Sequence, residues 1–135
     1  MLANRSVPDA WVMPVLQYED VPAAVRWLCA AFGLTERLRI GAHRVQMAYR
    51  GGAVIAHEGG GPAQPHQSVL MRVEDADAHC ATARAHGARV VSEPTDFPFG
   101  ERQYTAEDVG GHRWTFTQSI FDADPAGWGG ELITP

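Results

Sequence analysis

The feature that most limits the fold of this chain is a repeat. Residues 12–34, "VMPVLQYEDVPAAVRWLCAAFGL", and residues 66–88, "HQSVLMRVEDADAHCATARAHGA", share one plan. Each opens on a short alternating run, ends it at Glu-Asp, and continues into a helical pattern closed by glycine. Asp20 and Asp75 stand where a carboxylate accepts the free N–H groups of a first helical turn, and Pro22 falls where a missing donor costs nothing. Val21, Ala24, Val25, Leu28 and Phe32 recur at helical spacing as one apolar stripe. Gly33 and Gly87 suit the C-terminal position that wants positive φ.

The segments after the two helices repeat as well. The first half continues as "LTERLRIG", "HRVQMAYR" and "AVIAHE", broken at Gly41 and at Gly51-Gly52. The second continues as "ARVVSEP", "ERQYTAED" and "RWTFTQ", broken by "EPTDFPFG" and by Gly110-Gly111. Paired glycines between alternating runs mark hairpins, because primed turns need positive φ. The reading is βαβββ twice, an α+β chain. Its parts are an arm at 1–10, modules at 11–58 and 66–120, a linker at 59–65 and a tail at 121–135. A unit this small cannot cover its own sheet, so the halves pack on each other or on the halves of a second chain.

Composition excludes more than it selects. A length of 135 residues with 45% hydrophobic content fits one ordinary domain or two halves sharing a core. A net charge of −5 disfavours nucleic acid, which needs clustered Lys and Arg. No run is long and apolar enough for a signal peptide or a membrane span, so the expectation is a cytoplasmic protein without a membrane partner. Cys29 and Cys80 read as small apolar residues of two helices in a reducing compartment.

The two βαβββ units, the strand-Asp-helix-Gly openings and the closing "GERQYTAEDVGGHRWTF" resemble the glyoxalase, bleomycin-resistance and extradiol dioxygenase superfamily over about residues 11 to 120. The ending "QSIFDADPAGWGG" resembles that of an uncharacterised glyoxalase-like branch. The resemblance implies eight strands forming a cup, helices outside it, and a two-fold dimer. In the enzymes of that superfamily four side chains, on the first and last strand of each module, hold a divalent metal at the cup floor. Counting from the Asp before each helix and from each glycine pair, those positions here are Met13, Ala56, Ser68 and Thr115. Thioether, methyl and neutral hydroxyl groups do not make such a site, which needs imidazole, carboxylate or thiolate donors. A one-residue slip offers Val12, Ile55, Gln67 and Trp114, or Pro14, His57, Val69 and Phe116, and only His57 among these is a good ligand. The expectation is the family fold with no metal and no other cofactor.

Alternation from those positions gives a cup lined by Met13, Val15 and Gln17, by Val54, Ala56 and Glu58, by Ser68, Leu70 and Arg72, and by Arg113, Thr115 and Thr117, with Arg102 and Tyr104 added from the seventh strand. Leu16, Tyr18, Val69, Met71, Val73, Trp114 and Phe116 fall on the opposite, core-facing side. An apolar middle with polar edges describes a pocket for a small organic molecule. Arg72 and Arg113 either grip an anionic group or pair with Glu58 or Glu74. Phe97, Phe99 and Tyr104 form an aromatic lip or anchor their own loop, and Trp128 packs the tail or closes the pocket. No Ser-His-Asp or Cys-His order and no phosphate-cradling loop occurs. The functional expectation is therefore a metal-free binding protein that sequesters its ligand. The alternative is a lyase or isomerase of the glyoxalase type, working without a metal through Glu58, His66 or Tyr104, or holding one elsewhere.

Overall fold

The computed structural model describes residues 2–61, 63 and 66–133. Three residues of the expected linker, and the outermost residues of the arm and tail, lie outside that range. The element order is β1 (Val15–Tyr18), α1 (Val21–Phe32), β2 (Thr35–Ile40), β3 (Arg44–Tyr49) and β4 (Gly52–Glu58), then β5 (Ser68–Arg72), α2 (Ala76–Ala85), β6 (Arg89–Phe97), β7 (Glu101–Glu107) and β8 (Arg113–Ser119). A 3-10 turn at Pro125–Gly127 comes last. The repeat is thus a structural one: βαβββ, twice. Asp20 and Asp75 cap the helices through the N–H groups of Ala23 and Ala78, and Gly33 closes α1 at φ 83°.

The strands form two four-stranded sheets, ordered β1-β4-β3-β2 and β5-β8-β7-β6. In each, the first strand runs parallel to the last and the other pairs are antiparallel. Among the described residues, β1 and β5 each keep one edge without a strand partner, so the eight strands are not one continuous ladder. Both helices pack on the same side and share one core, in which Trp114, Tyr104, Phe32, Phe116 and Leu28 are fully buried. Phe32, at the end of α1, crosses between modules: its ring lies 4.8 Å from that of Phe116 and 5.3 Å from that of Trp114.

Polar groups tie the same seam. Asp108 accepts from the Tyr18 hydroxyl at 2.5 Å, from Trp114 Nε1 at 2.9 Å, and from the N–H groups of Gly110 and His112 at 2.9 and 3.0 Å. His112 Nε2 donates to the carbonyl of Gln17 at 2.7 Å. Gly110 is needed there because a Cβ would stand 2.8 Å from the Tyr18 ring. Burial, then the Asp108 charge, pushes the Tyr18 phenol far above its usual range, so it stays a donor.

Candidate functional site

Each sheet has one face under the helices and one face turned away, and the register decides which residue sees which. On the second sheet, Ser68, Leu70 and Arg72 pair with Arg113, Thr115 and Thr117, and the latter three with Glu107, Thr105 and Gln103. Their neighbours Val69, Met71, Trp114 and Phe116 belong to or pack on the core, so this set makes the open face. It is a polar ladder. Thr115 and Thr105 share a hydrogen bond at 2.8 Å, Gln103 Nε2 donates to Thr117 Oγ1 at 3.1 Å, and Thr117 donates to Glu101 at 2.7 Å. Arg72 donates to Ser119 and lies 3.8 Å from Glu101. Arg113 Nε is buried without a hydrogen-bond partner, 3.7 Å from Glu107. Neither arginine pairs with Glu58 or Glu74; Glu74 is held by Arg50 at 2.8 Å.

The first sheet corrects the sequence reading. Val15 pairs with Ile55 and Leu16 with Ala56, so Val54, Ala56 and Glu58 share the helix side with Leu16 and Tyr18. Ala56 and Val54 are core residues, and Glu58 is exposed at the strand end. The open face of β4 is Ala53, Ile55 and His57, with Gln46 and Arg44 beside the last two on β3. Counting from glycine pairs failed because the two turns differ: Gly52 is already the first residue of β4, paired with Tyr49, whereas Gly110 and Gly111 lie in the loop between the paired Glu107 and Arg113. A slip of one residue in a strand moves every side chain to the other face. Ile55, not Ala56, is the structural counterpart of Thr115.

Two further residues face away from the open side. Tyr104 pairs with Phe116 and is fully buried under α2, its hydroxyl donating to His79 Nδ1, while His79 Nε2 donates to the Phe32 carbonyl at 2.9 Å. Arg102 lies on that same side, joining Asp96 at 2.5 Å and Asp77 of α2 at 2.9 Å. Their expected place in the cup lining is overturned by that register.

Of the sequence-derived lining, Val15, Gln17, Ser68, Leu70 and Arg113 meet around one groove of about 860 Å³ between β1 and β5, together with Leu16, Val69, Gln67 and His112. Met13 precedes β1 and is half-buried, Thr115 lies one row further in, and Arg72 sits at a second cavity of about 390 Å³ near Tyr49, Met71 and Trp114. Sequence reasoning missed Ile55 and His57 as open-face residues, and Glu107 as the neighbour of Arg113. Correct register would have found all three. His57 Nδ1 lies 3.3 Å from Arg44 Nη1. The stacked Phe97 and Phe99 rings, 5.2 Å apart, carry Trp128 at 5.5 Å, which packs the tail on its own module.

These modules, their order and the open faces can now be set beside known proteins. Residues 10–116 match the model of the Glyoxalase/Bleomycin resistance protein/Dioxygenase superfamily. The chain belongs to that superfamily. A comparison with curated proteins finds no match. Among solved structures, TioX from Micromonospora sp. ML1 is 34% identical over 81% of this chain and 98% of its own, with a TM-score of 0.70. The fosfomycin resistance protein FosX from Listeria monocytogenes superposes with a TM-score of 0.70 at 13% identity, over 84% of this chain and 94% of its own. Lactoylglutathione lyase from Agrobacterium tumefaciens gives 0.65 at 16% identity, over 84% and 96%. The last two show likeness of fold.

The superfamily's divalent metal can be tested on donor chemistry. The four structurally equivalent positions carry Met13, Ile55, Ser68 and Thr115, and the Thr115 hydroxyl is already bonded to Thr105. This set does not fit such an ion. Among the described residues no three His, Cys, Asp or Glu side chains converge to offer another.

Proposed function

We propose that this superfamily member binds, and by binding sequesters, a small organic molecule in the groove between β1 and β5. The observation that carries this reading is that both modules send residues to that groove: Val15 and Gln17 from one, Ser68, Leu70 and Arg113 from the other. Its size of about 860 Å³ lies within the span of small-molecule sites, and Val15, Leu16, Val69 and Leu70 line it together with the polar Gln17, Gln67, Ser68, His112 and Arg113. Arg113, whose side chain is about one-third exposed and lines the groove, offers its guanidinium to an anionic or carbonyl group of the ligand.

The assembly we propose is a homodimer. β1 and β5 present unpaired edges, and Trp11, Val12, Val15 and Leu70 beside them are exposed and apolar. A second copy seated on these edges would also wall the groove, so ligand and dimer share that seam. We place the protein in the cytoplasm, where Cys29 and Cys80 remain free thiols; no helix among the described residues is long and apolar enough to cross a membrane.

The test is a titration of a panel of organic acids and drug-like compounds, monitored by tryptophan fluorescence. Saturable binding that weakens about tenfold or more in Arg113→Ala, the loss of a charge-assisted hydrogen bond, supports the groove. No binder from the panel, or a binder indifferent to Arg113, counts against it. A stoichiometric transition metal in chelator-free protein, read by elemental analysis, or turnover of a bound compound would instead favour the enzyme alternative.

A further inference from the structure

The hairpin between β3 and β4 puts a long cationic side chain where its backbone would favour glycine. Tyr49 pairs with Gly52, so the turn is Arg50-Gly51, and Arg50 takes φ 51°. Two-residue hairpin turns with positive φ at the first position favour glycine there, yet Gly51 stands one place later. A bulky residue held at positive φ stores backbone strain, and strain of this kind gathers at binding sites.

Arg50 borders the cavity of about 390 Å³, which shares only Pro14, Val69 and Leu70 with the β1–β5 groove. Both modules line its interior, Leu34 and Val54 from the first and Met71 and Trp114 from the second. The charged residues of its lining are Arg50 and Arg72, both cationic. Their side chains are 64% and 69% exposed, so the charge sits at the rim and the apolar surface lies within. Arg72 is turned toward Ser119 and Glu101. The Arg50 guanidinium lies 5.7 Å from the centre of the Tyr49 ring, and 2.8 Å from Glu74 of the second module. An ion pair as exposed as Arg50 with Glu74 is held weakly.

From the strained arginine, the apolar interior and the cationic rim we infer a second binding site here, for a monocarboxylic acid with an apolar body. The body fills the cavity, and the carboxylate takes the place of Glu74 on Arg50. Glu74 is then a competitor that the chain itself carries.

Calorimetry of the full chain with octanoate tests this. Wild type should bind octanoate saturably below millimolar concentration, and Arg50→Gly about tenfold more weakly, the loss of a charge-assisted contact. Glycine also relieves the turn, so Arg50→Gly should melt no lower than wild type, and its lost binding is not lost folding. Glu74→Gln removes the competitor and should bind about threefold more tightly. Acetate, which lacks the body, and octanamide, which lacks the charge, should each bind about tenfold more weakly than octanoate. No octanoate binding at millimolar concentration in wild type and Glu74→Gln would overturn the proposal. So would equal binding by wild type and Arg50→Gly, or acetate bound as tightly as octanoate. Arg113→Ala should leave octanoate binding unchanged; binding that follows Arg113 in place of Arg50 assigns the acid to the groove and also overturns the proposal. The groove keeps its own compound panel, so either reading can fail alone.

Discussion

Asp108 shows how much of this protein rests on single side chains. A buried carboxylate is tolerated only when its lone pairs are satisfied, and here four donors from both modules satisfy them. Tyr18→Phe removes one of the four, and the expected cost is about 1–3 kcal/mol in a denaturant titration, the range for a hydrogen bond to a charged group. His79 makes a second bridge, from α2 to Tyr104 and to the Phe32 carbonyl. Burial lowers its pKa, and the Phe32 carbonyl opposes that shift in part. The folded state therefore favours neutral imidazole. Its contribution is fully present above the unfolded value of about 6.5 and is lost as pH falls below that toward the lower folded value. A melting temperature tracked from pH 7.5 to 5 should drop, and His79→Gln should remove part of the slope. An identical slope in the variant would show that other groups carry it.

At the scale of elements, the sequence reading succeeded wherever a local signal settles the matter. The Asp caps, the glycine ends and the order of elements along the chain need only neighbouring residues, and they stand as read. It failed at β4 and β7, where facing depends on partners far along the chain. Gly51-Gly52 and Gly110-Gly111 look equivalent as letters, but Gly52 is already the first residue of β4, while Gly111 still lies in the loop before Arg113 opens β8. Turns also set the cost of substitutions. Gly87 has φ 86° and open space around its missing Cβ, so Gly87→Ala should cost about 1–2 kcal/mol for the left-handed backbone alone. Gly100 has φ 83° and a Cβ there would collide with the Phe121 carbonyl oxygen. Gly100→Ala should destabilise more than Gly87→Ala and detach the tail, read as a rise in Trp128 exposure. A smaller effect at Gly100 would mean that the tail yields freely.

The whole molecule is two modules sharing one core but not one sheet. Phe32 seals the helix side across the seam, so truncating it opens a cavity in the centre of the protein; Phe32→Ala should cost about 3–5 kcal/mol. On the other side the seam stays unzipped between β1 and β5, and the groove lies there. Light scattering behind a sizing column should return twice the chain mass if those edges meet a second copy, and Trp11→Asp, at an exposed residue outside the groove, should shift it to the monomer. A monomer in the unaltered protein would remove the dimer from the proposal.

Taken alone, the residues settled the repeat, the helix limits, the strand count and the want of metal-binding donors at the family positions. All of these depend on side-chain identity and short-range geometry. Only the tertiary structure decided which face each strand shows, that Arg37 and Gln46 hold the arm by the carbonyls of Arg5 and Ser6, and that the open face of the second sheet is a wired polar ladder. Facing is a parity, and parity is lost with a single residue of uncertainty in a turn. The arm's place is set by main-chain carbonyls, which every sequence has and none advertises.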